Sequence, residues 1–260
     1  MTEVEELVFL LKKKENLAAM VAPTFPILYS KEELITKLRS LGFQYIVEVS
    51  AGAVRTNETI KKLLQENPTS RYITSPCASF VRLVRAKYPH LLKYLTLQAD
   101  TPMSATAKLV NEKYPGYRPV FIGPCIAKKK EASEDYSGLN MLVITFKELE
   151  EILKATPLPS PETGHEYAFD LEEKSTRIYP FDGGLTESSG IRSLLKENEI
   201  RIVSGYLNCE TALKEFETNK TIRFLDILFC EGGCINGTGI QSTLSLSERK
   251  SKVVEYSLIR

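Results

Sequence analysis

Short apolar segments rich in β-branched residues alternate with helix-forming segments along most of this 260-residue chain. The apolar segments have the length of buried strands, and cap residues such as serine and glycine flank several of the segments between them. Strands are predicted at residues 17–22, 45–49, 71–74, 118–122, 140–145, 201–204 and 226–229, and helices at residues 2–15, 30–41, 57–67, 80–88, 146–154, 190–197 and 209–217. This alternation predicts an α/β fold with mainly parallel sheets flanked by helices.

Composition excludes several classes of protein. Lys and Arg total 34 and Asp and Glu total 33, and a net charge of +1 argues against a basic nucleic-acid-binding protein. The chain has no stretch of the ~20 apolar residues that a membrane helix needs, and lysines follow its most apolar N-terminal run, unlike in a secretory signal. Five cysteines, an odd number, suit a reducing compartment. We therefore expect a cytoplasmic protein that binds neither nucleic acid nor membrane.

Four of the five cysteines follow predicted strands. Cys77 and Cys125 each come after a proline at the end of a short apolar strand, and Cys230 and Cys234 flank Glu-Gly-Gly after the last strand. Sites in open α/β sheets form at the carboxyl ends of strands, and glycines let the backbone approach a bulky ligand. Four thiolates that converge from separate strands suit a 4Fe–4S cluster.

The cysteine spacing also leaves other interpretations open. It matches neither the short ferredoxin run nor the usual zinc ribbon, so buried cysteines that act as small hydrophobic residues, or a structural zinc site, remain alternatives. Cys209 lies on a predicted helix and is interpreted as structural. His90 and His165 are too few for a histidine-based metal site or a Ser-His-Asp enzyme. The basic run after Cys125 is either a solvated surface or a source of hydrogen bonds to an anionic cofactor.

Three segments around these cysteines together resemble the catalytic H-domain of iron-only (FeFe) hydrogenases. Residues 74–80 (TSPCASF) stand in place of the family's T-S-C-C-P-x-W, and residues 123–131 (GPCIAKKKE) in place of M-P-C-x-x-K-K-x-E. Residues 228–238 (LFCEGGCINGT) stand in place of M-A-C-P-G-G-C-x-x-G-G. Further likeness, including Val-Ala-Pro-Thr at residues 21–24, extends over nearly the whole chain from about residue 16.

The resemblance implies a fold, a cofactor and roles for individual residues. After the N-terminal helix that the sequence itself predicts over residues 1–15, it implies one H-domain over residues 16–260. This domain would have two intertwined lobes of approximately residues 16–115 and 116–260, with the cofactor in the cleft between them. A 4Fe–4S cluster would be held by Cys77, Cys125, Cys230 and Cys234, and Cys234 would bridge it to a diiron subsite with CO, cyanide and azadithiolate ligands. The implied catalytic residues are Lys128 and Glu131, and the implied cofactor-binding residues are Pro23, Thr24, Met103, Pro124, Lys128 and Gly233. Within that set Lys128 would hydrogen-bond one cyanide, and Thr24 with the Pro23 backbone would contact the other.

The departures from the family concern proton transfer. Pro76 stands where the family has a proton-relay cysteine, and proline cannot shuttle a proton. The relay serine aligns loosely with Leu97, and Glu58 is the only carboxylate where relay glutamates are expected. Loss of a general acid–base commonly costs ~10²–10⁴-fold in rate. We therefore predict slow reversible H2 oxidation and proton reduction, or H2 sensing, as in the family's divergent sensory branch.

Electrons and cofactor would have to come from other proteins. No cysteine precedes Cys77, so the chain has no ferredoxin-like module of its own before the first motif. We expect a ferredoxin or another electron-transfer partner, and hydrogenase maturation factors of an anaerobic host that insert the diiron subsite. The alternative function is a non-enzymatic 4Fe–4S protein related to iron–sulfur assembly factors, although their N-terminal cluster motif is missing here. A metal-free structural domain is a further alternative.

Overall fold

The computed structural model describes residues 1–156 and 167–259. Residues 157–166, which are rich in Pro, Ser, Thr and Gly and are therefore predicted from the sequence to form a loop, lie outside the described residues, as does His165 within them. The strands are β1 (Leu17–Val21), β2 (Tyr45–Glu48), β3 (Tyr72–Ile73), β4 (Arg118–Gly123), β5 (Leu142–Thr145), β6 (Ile200–Ser204) and β7 (Phe224–Leu228). The helices are α1 (Glu3–Lys12), α2 (Lys31–Leu41), α3 (Ser50–Glu66), α4 (Ala78–Lys87), α5 (Pro102–Lys113), α6 (Ala127–Lys130), α7 (Phe146–Ala155), α8 (Gly184–Ser189), α9 (Tyr206–Thr218) and α10 (Leu246–Leu258).

The strands form two parallel sheets. The first has the order β2-β1-β4-β5 and the second the order β3-β7-β6, and every pairing of neighbouring strands is parallel. Each sheet takes strands from both sides of residues 115 and 116, so the chain passes from one sheet to the other more than once. All five residues of β1 are buried, as expected of a central strand covered on both faces. The predicted α/β fold with parallel sheets and flanking helices is confirmed.

Local sequence signals explain several helix ends. α1 begins with a capping box between Thr2 and Glu5, and its first turn is acidic while Lys12 lies in its last turn. The predicted helix from Ser30 to Leu41 is confirmed, because the Ser30 hydroxyl caps α2 and Gly42 ends it with a φ of +108°. No helix in the described ranges is both long and apolar enough to cross a membrane.

Several helices differ from the sequence predictions. α3 begins at Ser50 rather than at residue 57, because Gly52 lies directly against α5, where a Cβ would collide with Thr106. This close packing overrides the low helix propensity of glycine. The helix predicted over residues 190–197 is wrong, since Gly190 adopts a φ of +70° and ends α8, and only a short 3₁₀ turn follows it. Neither α5 nor α10 was predicted.

Candidate metal centre

The four predicted cysteine ligands lie just beyond the carboxyl ends of strands from both sheets. Cys125 follows β4 of the first sheet, and Cys77 lies between β3 of the second sheet and the first residue of α4. Cys230 and Cys234 follow β7, which pairs with β3. The Phe229 backbone N–H donates to the Cys77 sulfur at 3.4 Å, which joins the loop after β7 to the loop after β3.

The four thiols lie close enough to interact electrostatically. Burial raises the pKa of Cys234 well above its ordinary value, and the charges of Cys77, Cys125 and Cys230 raise it further. Burial also raises the pKa of Cys230 to about 11, with contributions from Cys77 and Cys125. In the described part of the chain, no group of three or more His, Cys, Asp or Glu side chains is spaced to hold a single metal ion. Four neighbouring thiols could instead hold a cluster in which each cysteine binds a different iron.

The loop between Cys230 and Cys234 depends on glycine. Gly232 and Gly233 have φ values of +71° and +94°. A Cβ on Gly233 would lie 2.5 Å from the Pro180 carbonyl oxygen, which accepts a 2.6 Å hydrogen bond from the Cys234 backbone N–H. The loop therefore packs closely against the Pro180 backbone, and this contact fixes the position of the Cys234 backbone at the end of the loop.

A mainly apolar cavity lies beside Cys125 and Cys234. It contains about 630 Å³ of empty space, part of it open to solvent. Its walls come from the segments after β1, β2 and β4 of the first sheet and after β3 and β7 of the second, so it lies between the two sheets. The predicted site residues that line it are Pro23, Thr24, Met103, Pro124, Cys125, Lys128 and Cys234.

Two buried hydroxyls on residues of this cavity are unsatisfied. The Thr24 and Tyr179 hydroxyl oxygens are inaccessible to solvent and have no hydrogen-bond partner among the described residues. A buried polar group left unpaired costs about 1–3 kcal/mol, so such groups usually have a partner in the functional state. The thiols, the cavity and these hydroxyls together fit a polynuclear iron–sulfur group with polar ligands.

Lys128 is oriented by Glu131, the other predicted catalytic residue. The Lys128 ammonium donates to the Pro76 carbonyl oxygen at 2.9 Å and to a Glu131 carboxylate oxygen at 2.6 Å. Burial lowers the pKa of Lys128, but the charge and hydrogen bond of Glu131, with Cys125 and Cys234, outweigh burial and raise it. Lys128 therefore stays a cation at the edge of the apolar cavity.

Glu131 joins this cavity to a polar cleft. It is 3% exposed and begins a π-helical turn, Glu131–Asp135, a feature often found at functional sites. Its second carboxylate oxygen accepts a 2.6 Å hydrogen bond from the Thr101 hydroxyl. Glu131 and Thr101 line the cleft together with Glu134 and Asp135. Sequence reasoning missed Thr101, although a threonine before Pro102 is a recognisable helix start.

Two of the three residues aligned with the family's proton relay lie near the site: Pro76 lines the cavity and Leu97 lines the polar cleft, but neither side chain can carry a proton. Leu97 is 47% exposed and Glu58 is exposed on α3. The buried hydroxyl in this region belongs to the neighbouring Thr96, whose oxygen lies 3.1 Å from the Ser75 hydroxyl. Cys209 is fully buried in the core, and its thiol donates to the Leu228 carbonyl oxygen at 3.5 Å.

The curated relatives of this chain include an iron hydrogenase and a protein named as a probable Fe-S cluster assembly factor. The chain is 26% identical to Iron hydrogenase 1 of Clostridium pasteurianum over an alignment of 259 positions, which covers 80% of this chain and 45% of that protein. It is 24% identical to a probable cytosolic Fe-S cluster assembly factor, oxy-4, of Caenorhabditis elegans over an alignment of 282 positions, which covers 85% of this chain and 60% of that protein. The chain thus spans about half the length of the curated relatives it matches.

Solved structures share the fold. An apo [FeFe]-hydrogenase HydA1 variant from Chlamydomonas reinhardtii matches with a TM-score of 0.71 at 17% identity, over 97% of this chain and 88% of that chain. A structure from work on oxygen inactivation of [FeFe]-hydrogenase through its 2Fe subcluster matches with the same score, identity and coverage. Residues 15–238 match the family model for the C-terminal domain of the iron only hydrogenase large subunit. The chain therefore belongs to this family of C-terminal domains from iron-only hydrogenases.

Proposed function

We propose that this domain holds an H-cluster and slowly interconverts H2 with protons and electrons, as a catalyst or as an H2 sensor. The observation that carries the proposal is the convergence of four thiols from both sheets beside a cavity that contains Lys128 and the unpartnered Thr24 hydroxyl. Cys77, Cys125, Cys230 and Cys234 would hold the 4Fe–4S cluster. Cys234, which also lines the cavity, would be shared with a diiron subsite that carries CO, cyanide and azadithiolate.

The residues of the cavity have separate tasks in this proposal. When bound, the diiron subsite supplies the metal at which H2 is split. Lys128 offers a fixed positive charge and a hydrogen-bond donor to an anionic ligand. On another wall the Thr24 hydroxyl offers a second donor, and the Pro23 backbone would contact the same ligand as Thr24. Met103 and Pro124 keep the cavity apolar, and in an apolar site these electrostatic contacts are stronger than in water. Gly233 allows the close backbone contact that positions Cys234.

Proton supply supports the prediction of slow turnover. Pro76 offers only its carbonyl oxygen, which accepts a hydrogen bond from Lys128. Glu131 is the catalytic residue that joins Lys128 at the cavity to Thr101 at the polar cleft. Since its carboxylate is already engaged by two donors at 2.6 Å, we expect it to transfer protons less readily than a free acid–base group.

The supply of electrons and of cofactor remains part of the proposal. Electrons would be exchanged with a ferredoxin or another electron-transfer partner, and maturation factors would insert the diiron subsite in the cytoplasm of an anaerobe. A 4Fe–4S protein without H2 chemistry is the second candidate. It is favoured by the match to a protein named as a probable Fe–S cluster assembly factor.

The first test is reconstitution of the cluster under anaerobic conditions. We expect about four irons per chain in the unchanged protein. Serine substitutions of Cys77, Cys125, Cys230 or Cys234 should each reduce the iron content, whereas Cys209→Ser, the matched control, should not. Full iron content in all four ligand variants would contradict the assignment of the ligands.

The second test separates the two candidate functions. After the diiron subsite has been loaded, H2 oxidation is measured with a small dye as the electron acceptor. We expect slow but measurable turnover that is absent before loading. No turnover and no retained diiron subsite, in a protein that keeps its 4Fe–4S cluster, would favour the non-enzymatic function.

A further inference from the structure

Thr101, the residue that precedes α5, makes two contacts with one hydroxyl group. The hydroxyl oxygen accepts from the Ser104 N–H at 3.3 Å and so caps the helix, and the hydroxyl proton is donated to a Glu131 carboxylate oxygen at 2.6 Å. Thr101 is 6% exposed and Glu131 is 3% exposed, so water can hardly replace either partner. A single buried hydroxyl therefore ties the Glu131 carboxylate to the backbone at the start of α5.

The start of α5 is a firm support for this hydroxyl. Pro102, the first residue of the helix, has a restricted φ, and its carbonyl oxygen accepts from the Thr106 hydroxyl at 2.6 Å. The same turn packs directly against α3, since a Cβ on Gly52 would lie 2.8 Å from the Pro102 carbonyl oxygen. The backbone that carries Thr101 therefore has little freedom to move.

Glu131 connects Thr101 to Lys128. Its two carboxylate oxygens have separate partners, because Oε1 accepts from the Thr101 hydroxyl and Oε2 from the Lys128 ammonium, each at 2.6 Å. An ammonium has three N–H donors. Lys128 uses one for Glu131 and one for the Pro76 carbonyl oxygen at 2.9 Å, and within the described residues the third has no acceptor. Since Lys128 lines the cavity, this third donor is available to a ligand there.

We propose that Thr101 is a positioning residue, which holds Glu131 and through it the Lys128 ammonium, so that the third donor of Lys128 is directed into the cavity. This inference rests on the proposed function and deepens it by naming a residue that fixes the cation of the cavity. A lysine side chain is a flexible four-carbon stem, so the position of its ammonium is set by its acceptors. The Pro76 acceptor belongs to the backbone, whereas Glu131 is itself a flexible side chain and needs a second bond to be fixed.

A second Thr–Glu–Lys set in the same chain provides a matched control. Thr145 caps α7, its hydroxyl donates to a Glu148 carboxylate oxygen at 2.9 Å, and Lys129 donates to the other oxygen at 2.6 Å. Thr145 is 5% exposed, close to the value for Thr101, but Lys129 lines a different pocket. The same substitution at Thr145 therefore removes the same kinds of contact without acting on Lys128.

The test compares Thr101→Val, Thr101→Ser and the control Thr145→Val as metal-free proteins. Nuclear magnetic resonance relaxation gives an order parameter for the ammonium group of each ordered lysine, and the Lys128 signal is identified by its absence from Lys128→Met. We expect an order parameter of about 0.8 for Lys128 in the unchanged protein and in Thr101→Ser, and a value below about 0.6 in Thr101→Val. Thr145→Val should leave the value for Lys128 unchanged.

Loss of a helix cap is a separate effect that both valine variants share. Both should unfold at a similarly reduced urea concentration. Thr101→Gly is the second variant, because glycine is tolerated at a helix N-cap but has no hydroxyl to donate, so it should free Lys128 with little loss of stability. An ordered Lys128 in both Thr101→Val and Thr101→Gly, or an equal loss of order at Lys128 in Thr145→Val, would overturn the inference.

A measurement on the loaded protein tests the effect on the cavity itself. In infrared spectra, one cyanide band should shift in Thr101→Val and return to its original position in Thr101→Ser. Cyanide bands that stay in place in Thr101→Val would also overturn the inference. A failure to insert the diiron subsite would count against the hydrogenase proposal, whereas the order parameter is measured without metal and decides the role of Thr101 in either case.

Discussion

Replacing Gly233 by alanine tests how the loop that carries Cys230 and Cys234 is held in place. Gly233 has φ +94° and ψ −158°, a region that only glycine adopts readily and that costs another residue about 1–3 kcal/mol. The new Cβ would also lie 2.5 Å from the Pro180 carbonyl oxygen and 2.8 Å from the Phe181 Cα. These are backbone atoms, so they cannot move aside as a side chain would, and such overpacking costs about 1–3 kcal/mol more. We therefore expect Gly233→Ala to lower the free energy of unfolding by about 2–6 kcal/mol.

Two other glycines separate the two contributions. Gly116 also has a positive φ, +86°, but no atom lies within 4 Å of a Cβ built on it. Gly116→Ala should therefore cost only the backbone term, about 1–2 kcal/mol. Gly138 has neither a positive φ nor a neighbour within 4 Å, and Gly138→Ala should change the stability by less than about 1 kcal/mol.

The assay has two parts. Urea unfolding of the metal-free proteins gives the three free-energy differences, and iron analysis after reconstitution reports whether Cys234 still reaches the cluster. We expect Gly233→Ala alone to lose iron, because relief of the collision moves the Cys234 backbone away from Pro180. The proposed contact would be refuted if Gly233→Ala cost no more than Gly116→Ala, or if it kept its full iron content.

Three other perturbations have definite expected outcomes. Arg177 is 1% exposed and donates to Glu48, to Glu172 and to the Tyr256 and Ile259 carbonyl oxygens at the C-terminal end of α10, so Arg177→Met should cost about 3–5 kcal/mol in urea unfolding. Arg192→Met, at an exposed ion pair, should cost less than about 1 kcal/mol, and equal losses would contradict the importance of burial. In fully loaded protein, Pro76→Cys should raise H2 turnover, by as much as ~10²-fold if the missing acid–base group limits the rate, and an unchanged turnover would show that another step is limiting. Since burial raises the pKa of Cys230 to about 11, iron must displace a proton from this thiol, and protons compete better as the pH falls. Cluster loss to a chelator, followed by visible absorbance, should therefore become faster from about pH 9 to pH 6, and slower loss at low pH would contradict the assigned thiols.

Much of the fold follows from local sequence signals. Two such signals are the continuous apolar run of β1 and the cap residues Ser30 and Gly42 of α2. Each determines the structure of residues next to it in sequence, so β1 and α2 were predictable. The start of α3 was not, since a glycine at residue 52 disfavours a helix locally and its close approach to α5 is a contact between distant segments. The helix predicted over residues 190–197 failed for the opposite reason, because a glycine inside an apparently helical segment acts as the end of the preceding helix.

The candidate site likewise has features that the sequence predicts and features that it does not. The order of the cysteines and their positions after strands were readable from the sequence, because the carboxyl ends of parallel strands meet at one edge of a sheet. The side chains that support them were not readable. Thr101 reaches Glu131 across thirty residues of sequence, and Tyr179 is placed by a loop that has no periodic pattern. Such contacts depend on how separate segments pack, which local spacing does not encode.

The central proposal, an H-cluster held by this domain, is tested most directly by infrared spectroscopy of anaerobically matured protein, with iron counted on the same sample. We predict sharp bands from iron-bound CO and cyanide, with more iron per chain than the ~4 of the cluster alone. The maturation system is first shown to be active on a known hydrogenase. If the protein then carried only about four irons and showed no such bands, the H-cluster would be contradicted and a 4Fe–4S binding protein would remain.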